Sequence, residues 1–177
     1  MRIISGTLKG RKLEGYNIEG TRPTMDSVKE SMFAMINPLN GICLDLFAGA
    51  GTLGLEAISN GCNLCYFVDN NRKCIDVLNK EIEKFNIKDN AITLNMDYKK
   101  ALNYFKDNNI KFDVVLLDPP YKMIVINEVI DYLLDNNLLN SNSLIVCEMD
   151  DNVEYHNKLQ VYKERSYGTK KVIIYRV

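Results

Sequence analysis

Five short and almost wholly apolar segments recur along the chain, and a stretch of helical period follows each of the first four. The segments are residues 42–47, 64–68, 92–96, 114–117 and 144–147. Strands that are apolar on both sides are typical of a parallel sheet that helices cover on both faces. The pattern therefore predicts a three-layer α/β sandwich with a doubly wound sheet, and 177 residues suit a single domain.

The two ends of the chain depart from this repeat. Residues 2–16 are typical of a short hairpin with turns at Gly6 and Gly10, and a turn at Gly168 separates two strand-like segments, 159–165 and 171–177. Because no helix lies between these last two segments, we expect them to pair antiparallel at the sheet edge. The sequence thus predicts a mostly parallel seven-stranded sheet with a C-terminal antiparallel hairpin, and a small N-terminal β-hairpin extension over residues 1–23.

Charge is unevenly distributed, although 22 Lys and Arg against 23 Asp and Glu give a net charge of only −1. Residues 1–25 hold five cations and two anions, residues 155–177 hold six and one, and the acidic stretch between them holds eleven and twenty. Basic ends point to a bound polyanion, although two solvated terminal hairpins that carry lysine would give the same pattern. The candidate contacts near the N-terminus are Lys9, Arg11, Lys12 and Arg22.

No segment predicts a membrane, a secretion signal or a metal. The uninterrupted apolar runs are about four residues long, and the N-terminus has no apolar core of signal-peptide length, so we expect a cytoplasmic protein. The only histidine is His156, and the Cys62-x-x-Cys65 pair lacks the two further ligands that a structural zinc needs. Five cysteines, an odd number, argue against a disulfide framework.

The first predicted strand leads into a glycine-rich loop. Gly49, Gly51 and Gly54 match G-x-G-x-x-G between a strand and a helix, where the backbone turns sharply and a ligand lies against it. Asp69 closes the second strand, and a carboxylate there can accept hydrogen bonds from both hydroxyls of a ribose. The pattern indicates a nucleotide-containing cofactor, with a purely structural glycine turn as the alternative.

Two cofactors fit such a loop, NAD and S-adenosylmethionine. A dinucleotide places its pyrophosphate on the helix N-terminus, whereas S-adenosylmethionine has a carboxylate, an ammonium and a sulfonium and no phosphate. Asp45, at the end of the first strand, would repel a pyrophosphate and suits a cationic ligand. Asp97 ends the third strand, where it can accept the adenine amino group or, alternatively, cap the helix that follows.

The fourth strand ends in the run Asp118-Pro119-Pro120-Tyr121. The exocyclic amine of a nucleobase is a poor nucleophile because its lone pair is delocalised into the ring. If Asp118 and the Pro119 carbonyl accept its two N–H groups, the nitrogen becomes pyramidal and its lone pair faces a methyl donor. Tyr121 offers a planar face for stacking. The run therefore predicts amine methylation by positioning, without a metal, and a strand-ending turn is the alternative.

The glycine loop and the Asp-Pro-Pro-Tyr run, in this order, resemble the Rossmann-like S-adenosylmethionine-dependent methyltransferases that act on amino groups. Further segments resemble the bacterial 16S ribosomal RNA guanine-N2 methyltransferases of the RsmD family, and the resemblance covers nearly the whole chain. These segments are Arg2-Ile3-Ile4-Ser5-Gly6, Lys9-Gly10-Arg11 with Leu13, Arg22-Pro23-Thr24 with Asp26, Val28, Lys29, Glu30 and Phe33, and Tyr167-Gly168 with Tyr175.

The resemblance implies methylation of one guanine N2 in small-subunit ribosomal RNA, in an assembled or assembling particle, by a methyltransferase domain over residues 24–177. It implies S-adenosylmethionine as the cofactor and no metal. The family usually has Glu where this chain has Asp69, so the contact with the ribose is expected to reach less far. The implied cofactor pocket is formed by Asp45, Phe47, Gly49, Gly51, Asp69, Asn70 and Asp97, and the implied catalytic residues are Asp118, Pro119, Pro120 and Tyr121.

Three other functions share parts of this pattern. Adenine-N6 DNA methyltransferases and the glutamine methyltransferases of release factors use similar four-residue motifs. The former usually add a target-recognition region, and the latter more often begin the motif with Asn and carry an extra helical domain. A non-catalytic RNA-binding assembly factor could keep the fold, but loss of Asp118 or of the glycines would be expected there, and both are present.

Overall fold

A seven-stranded sheet forms the centre of the computed structural model, which describes residues 1–14, 26–120, 125–150 and 155–177. The strands are β1 (Ile42–Asp45), β2 (Leu64–Asp69), β3 (Ala91–Asn95), β4 (Phe112–Leu117), β5 (Leu139–Asp150), β6 (Val161–Tyr167) and β7 (Lys170–Arg176). The α-helices are α1 (Asp26–Ile36), α2 (Thr52–Ser59), α3 (Arg72–Phe85), α4 (Tyr98–Asp107) and α5 (Ile126–Asp135), and a short 3-10 helix spans Lys88–Asn90.

The strand order is β3-β2-β1-β4-β5-β7-β6. Strands β1 to β5 pair in parallel, and β7 lies antiparallel between β5 and β6. The predicted mostly parallel sheet and its C-terminal antiparallel hairpin are thus confirmed. The chain reverses its direction of travel across the sheet between β1 and β4, and ligands of such sheets bind at this switch point, outside the carboxyl ends of the strands.

Helices cover both faces of the sheet, as the apolar strands predict. Helices α1, α2 and α3 pack with one set of strand side chains in what we call the first core, and α4 and α5 pack with the other set in the second core. Strand residues alternate between the two: Val114 and Leu116 of β4 lie in the first core, whereas Val115 and Leu117 lie in the second. A polar residue at a strand end can therefore be assigned to one face.

Most element boundaries agree with the sequence pattern, and the differences have local causes. Strand β1 ends at Asp45, two residues before the predicted end, because the chain turns immediately afterwards through left-handed conformations at Gly49 and Gly51. Strand β5 is longer than its apolar stretch and begins at Leu139.

The N-terminal segment folds back on itself and packs onto the helices of the first core. An isolated antiparallel bridge joins Arg2 and Lys12, and Ile3, Leu8 and Leu13 are buried in that core. Over residues 1–14 the predicted hairpin is present as a fold-back joined by an isolated bridge, and the rest of the predicted hairpin and of the extension to residue 23 lies outside the described residues. Among the helices that the structure describes, none is long and apolar enough to cross a membrane.

Candidate active site at the carboxyl ends of the strands

Glycine is required at the three positions of the loop after β1 for different structural reasons. Gly49 and Gly51 have φ angles of +53° and +82°, which favour glycine. A Cβ on Gly49 would meet nothing within 4 Å, whereas one on Gly51 would overlap Leu78 of α3 and one on Gly54 would overlap the ring of Phe67 on β2. Gly49 therefore borders open space that a ligand could occupy, and the other two glycines let α2 pack closely.

Asp69, at the end of β2, is tied to this loop. Its Oδ2 accepts a hydrogen bond from the Gly49 N–H at 2.8 Å, and its Oδ1 accepts one from the Asn71 N–H at 2.7 Å. A carboxylate has about four lone-pair positions, so both oxygens keep capacity for hydroxyl donors. The half-buried carboxylate of Asp69 thus lies beside the open space at Gly49.

Asp45 is buried, with 1% of its surface exposed, and its Oδ2 accepts a hydrogen bond from the Gly54 N–H at 2.8 Å. Gly54 lies in the first turn of α2, so Asp45 satisfies one of the helix's free N–H groups from the end of a neighbouring strand. Burial raises the pKa of Asp45 to about 7, the Gly54 N–H opposes this rise, and the negative charge of Asp69 adds to it. The sequence analysis did not predict this contact between Asp45 and the start of α2.

The loops after β1 and β3 meet at the same edge. Asp97 caps α4, because its Oδ1 accepts the Lys99 N–H at 2.8 Å, so the capping alternative is present. The ring of Phe47 packs against Tyr98 with their centroids 5.4 Å apart. Asn70, which follows β2, is exposed. The sheet thereby brings the candidate cofactor residues to three neighbouring strand ends.

The Asp-Pro-Pro run begins directly after β4, on the strand beside β1. Asp118 and Pro119 are half-buried, and Pro120 is exposed. Asp45 pairs with Leu116, so Asp118 stands two positions further along the adjoining strand. The candidate catalytic carboxylate and the glycine loop therefore flank the switch point. Tyr121 and Arg22 lie outside the described residues.

The candidate RNA contacts Lys9, Arg11 and Lys12 are exposed on the N-terminal segment. The Arg11 guanidinium lies over the ring of Phe85 on α3, 5.4 Å from its centroid. The Lys12 carbonyl accepts a hydrogen bond from Lys84 Nζ at 3.3 Å. These contacts hold the basic segment against α3.

Two buried glutamates that the sequence analysis did not identify anchor the N-terminal segment. Glu56 of α2 accepts the Ile4 N–H at 2.6 Å, and Glu81 of α3 accepts the Glu14 N–H. The buried Lys29 ammonium lies 3.6 Å from Glu56 and donates to the Arg2 carbonyl at 3.1 Å. The sequence carried one signal for Glu56. It is the only charged residue of α2, and a charge inside an apolar helix indicates a buried partner.

The structure offers no obvious metal centre in the parts of the chain that it describes. No group of three or more His, Cys, Asp or Glu side chains there could hold a metal ion. All five cysteines are buried as free thiols, including Cys62 and Cys65 of the C-x-x-C pair. His156 is buried, with its Nε2 3.4 Å from Asp131.

Comparison with known proteins identifies the family to which this chain belongs. The family model described as "Conserved hypothetical protein 95" matches residues 1–176. Ribosomal RNA small subunit methyltransferase D of Haemophilus influenzae is 36% identical over 154 residues, which are 85% of this chain and 79% of that protein. A Bacillus subtilis protein with the provisional name rRNA methyltransferase YlbH is also 36% identical, over 99% of this chain and 98% of its own.

A solved structure agrees with these sequence matches. A conserved hypothetical protein of Streptococcus pyogenes is 35% identical and superposes with a TM-score of 0.77, over 84% of this chain and 94% of that chain. The family match spans the N-terminal segment, the glycine loop and the Asp-Pro-Pro run alike. The chain therefore belongs to the family of the ribosomal RNA small subunit methyltransferases D, the RsmD family, as the resemblance of its motifs predicts.

Proposed function

We propose that this protein uses S-adenosylmethionine to methylate the exocyclic N2 amino group of a guanine in small-subunit ribosomal RNA. The observation that carries the proposal is the position of the Asp118-Pro119-Pro120 run, which follows β4 at the switch point and adjoins the glycine loop after β1. In this arrangement a carboxylate and a carbonyl free of a competing N–H lie where a cofactor and an acceptor would meet.

The residues at the switch point fit S-adenosylmethionine better than a dinucleotide. A pyrophosphate would need the N–H groups at the start of α2, and the buried Asp45 carboxyl already accepts the one at Gly54. The same carboxyl suits a cationic ligand. Asp69 and Asp97 offer oxygens at the ends of β2 and β3, which suit ribose hydroxyls and an adenine amino group respectively. When bound, the cofactor would supply an electrophilic methyl group on a sulfonium centre.

Asp118 and Pro119 would activate the acceptor without abstracting a proton beforehand. When the Asp118 carboxylate and the Pro119 carbonyl accept the two N–H groups of the amine, the nitrogen lone pair leaves conjugation with the ring and is held in line for attack. The carboxylate also stabilises the positive charge that grows on nitrogen. The alkylated ammonium is strongly acidic, so its proton can leave afterwards and no dedicated base is needed.

The remaining residue assignments belong to the same proposal. Tyr121 stacks on a guanine that has left its helix, a contact typically worth about 1–3 kcal/mol. The N-terminal extension, residues 1–23, docks on ribosomal RNA through phosphate contacts of Lys9, Arg11, Lys12 and Arg22. The substrate is the assembled or assembling small ribosomal subunit in the cytoplasm. The likeness to the Haemophilus influenzae enzyme, named for the small-subunit RNA, supports this choice of substrate.

The test is methylation of small subunits purified from cells that lack the gene, followed by mass spectrometry of the digested nucleosides. We expect N2-methylguanosine with the wild-type protein and on the order of a hundredfold to a thousandfold slower single-turnover transfer with Asp118→Ala. Asp118→Asn keeps an acceptor oxygen and should fall between them. Asp107→Ala, which removes an exposed carboxylate at the end of α4, is the matched control.

Each part of the proposal can fail separately. Calorimetry should show unchanged S-adenosylmethionine binding by Asp118→Ala, and a loss of binding would place Asp118 in the cofactor pocket. Transfer at the wild-type rate would remove Asp118 from the mechanism. A methylated adenine in place of N2-methylguanosine would refute the guanine acceptor.

A further inference from the structure

The strand order divides the carboxyl edge of the sheet into two halves. The candidate cofactor residues lie at the ends of β1, β2 and β3, which occupy one half. The Asp-Pro-Pro run ends β4, and β5 and β7 continue the sheet beyond it. If the cofactor lies along the first half, the acceptor base must approach from the side of β4 and β5. Polar side chains at the end of β5 then become candidates for contact with the base.

Glu148 is such a side chain, and the proposed mechanism does not use it. It lies near the end of β5 with only 9% of its surface exposed. Cys147 pairs in parallel register with Leu117, so Glu148 and Asp118 are the next positions along two adjacent strands. Adjacent strands lie about 4.8 Å apart, which brings the two residues within reach of one planar base.

Glu148 and Asp118 also belong to the same face of the sheet. Val146 and Leu116 lie in the first core, and Cys147 and Leu117 lie in the second. By the alternation of strand side chains, the residues that follow Cys147 and Leu117 return to the side of the first core. Asp45 returns to that side too, since it accepts from the N-terminus of α2, a helix of the first core.

A second polar group on this face could also contact a ligand. The hydroxyl of Tyr167, at the end of β6, is buried and has no hydrogen-bond partner among the described residues. Tyr167 packs against the first core, and it pairs with Lys170 at the start of β7. Buried hydroxyls in native proteins are generally hydrogen-bonded, so this one offers a position for a ligand or an ordered water. Carboxylate and phenol together offer the acceptor and donor that a base edge requires.

We propose that Glu148 accepts a hydrogen bond from the N1–H of the target guanine and thereby selects guanine over adenine. This inference rests on the proposed function and adds the residue that identifies the base. Guanine presents N1–H beside its 2-amino group, whereas adenine has an unprotonated acceptor at N1. Asp118 and Pro119 hold the 2-amino group, and a carboxylate on the neighbouring strand reads the adjoining N1–H. An adenine would instead bring its N1 lone pair against the carboxylate, and this repulsion between two acceptors disfavours adenine.

The test compares guanine with 2,6-diaminopurine, which keeps the 2-amino group and has an acceptor at N1. The target position is first mapped with the wild-type protein, and small subunits are then reconstituted with ribosomal RNA that carries either base there. The wild-type protein should prefer guanine by at least tenfold in kcat/KM. Glu148→Ala should lower kcat/KM for guanine on the order of ten- to a hundredfold, because a charged hydrogen bond is lost.

Glu148→Gln gives a second test that does not depend on protein yield or stability, because it compares two substrates within one preparation. Its amide can donate to the diaminopurine N1, so the ratio of guanine to diaminopurine methylation within the same preparation should fall by at least tenfold. Glu164→Gln, an exposed change on β6, should keep the wild-type ratio. An unchanged ratio in Glu148→Gln, while the wild-type protein still forms N2-methylguanosine, would overturn the inference. Absence of N2-methylguanosine with the wild-type protein would instead refute the proposed function.

Discussion

The buried carboxyl of Asp45 should make the folded protein less stable as the pH rises. In the unfolded chain this group has a pKa near 3.8, whereas burial raises its pKa to about 7 in the folded state. The folded protein therefore keeps a proton that the unfolded chain has released. At about 1.4 kcal/mol per pKa unit, a rise of about three units makes this group's contribution fall by about 4 kcal/mol between pH values well below 4 and well above 7.

Urea unfolding of the wild-type protein and Asp45→Asn at several pH values isolates this contribution. The Asn side chain does not titrate and retains an oxygen that can accept from the Gly54 N–H. Carboxylates that do not interact with Asp45 titrate equally in both proteins and cancel in the difference. We expect the free energy of unfolding of the wild-type protein, relative to the variant, to fall by about 3 kcal/mol between pH 5 and pH 8. Parallel pH curves for the two proteins would refute the reasoning.

The raised pKa of Asp45 also leads to a prediction about proton release on cofactor binding. A cationic ligand beside Asp45 favours the carboxylate over the neutral acid, so S-adenosylmethionine binding at pH 6 should release a proton. Calorimetry in two buffers of different ionisation enthalpy measures that release. It should disappear in Asp45→Asn, and equal proton release by both proteins would place the linked group elsewhere.

Three further changes test the packing of the N-terminal segment and of α2, and the proposed RNA contacts. Glu56→Gln leaves the buried Lys29 ammonium with only the half-exposed Asp26 carboxylate, 3.3 Å away, and should cost up to about 3 kcal/mol. The added change Lys29→Met should restore much of this loss in a urea-unfolding cycle. Gly54→Ala forces a methyl group into a buried phenylalanine ring and should cost about 1–3 kcal/mol in the same assay. Replacing Lys9 and Lys12 by Ala should lower RNA affinity and reduce the slope of log K against log salt by about one per lost phosphate contact, with cofactor affinity unchanged.

The fold could be predicted because its elements are repetitive and local. Each buried strand is a short apolar run, and each helix shows apolar residues at helical spacing. Both patterns can therefore be identified without information from distant residues. The end of β1 was misplaced because Leu46 and Phe47 are apolar, although the chain already turns there. The glycine pattern predicts a sharp turn at Gly49 and Gly51, but it does not specify that the strand ends as early as Asp45.

The candidate site could be predicted only in part. The positions of Asp69 and Asp118 follow from strand ends and parallel topology, which bring carboxyl ends to one edge. The contacts of the buried glutamates join residues that are far apart in sequence: Ile4 and Glu56 are 52 positions apart, and Glu14 and Glu81 are 67. Pairings of this kind arise from how helices dock, and no local period encodes them.

Helix α2 links the two surfaces that the proposed reaction requires. It begins at the glycine loop, directly after Gly51, and its Glu56 and Ser59 hold the N-terminal segment through Ile4 and Leu8. The basic segment is therefore fixed to the same rigid element that shapes the cofactor loop, with only about two helical turns between them. RNA that docks on this segment would be placed at a defined distance from the methyl donor. Since a small misplacement of reacting groups costs much of the rate, we expect weakening of the Glu56 contact to lower the transfer rate more than it lowers RNA affinity.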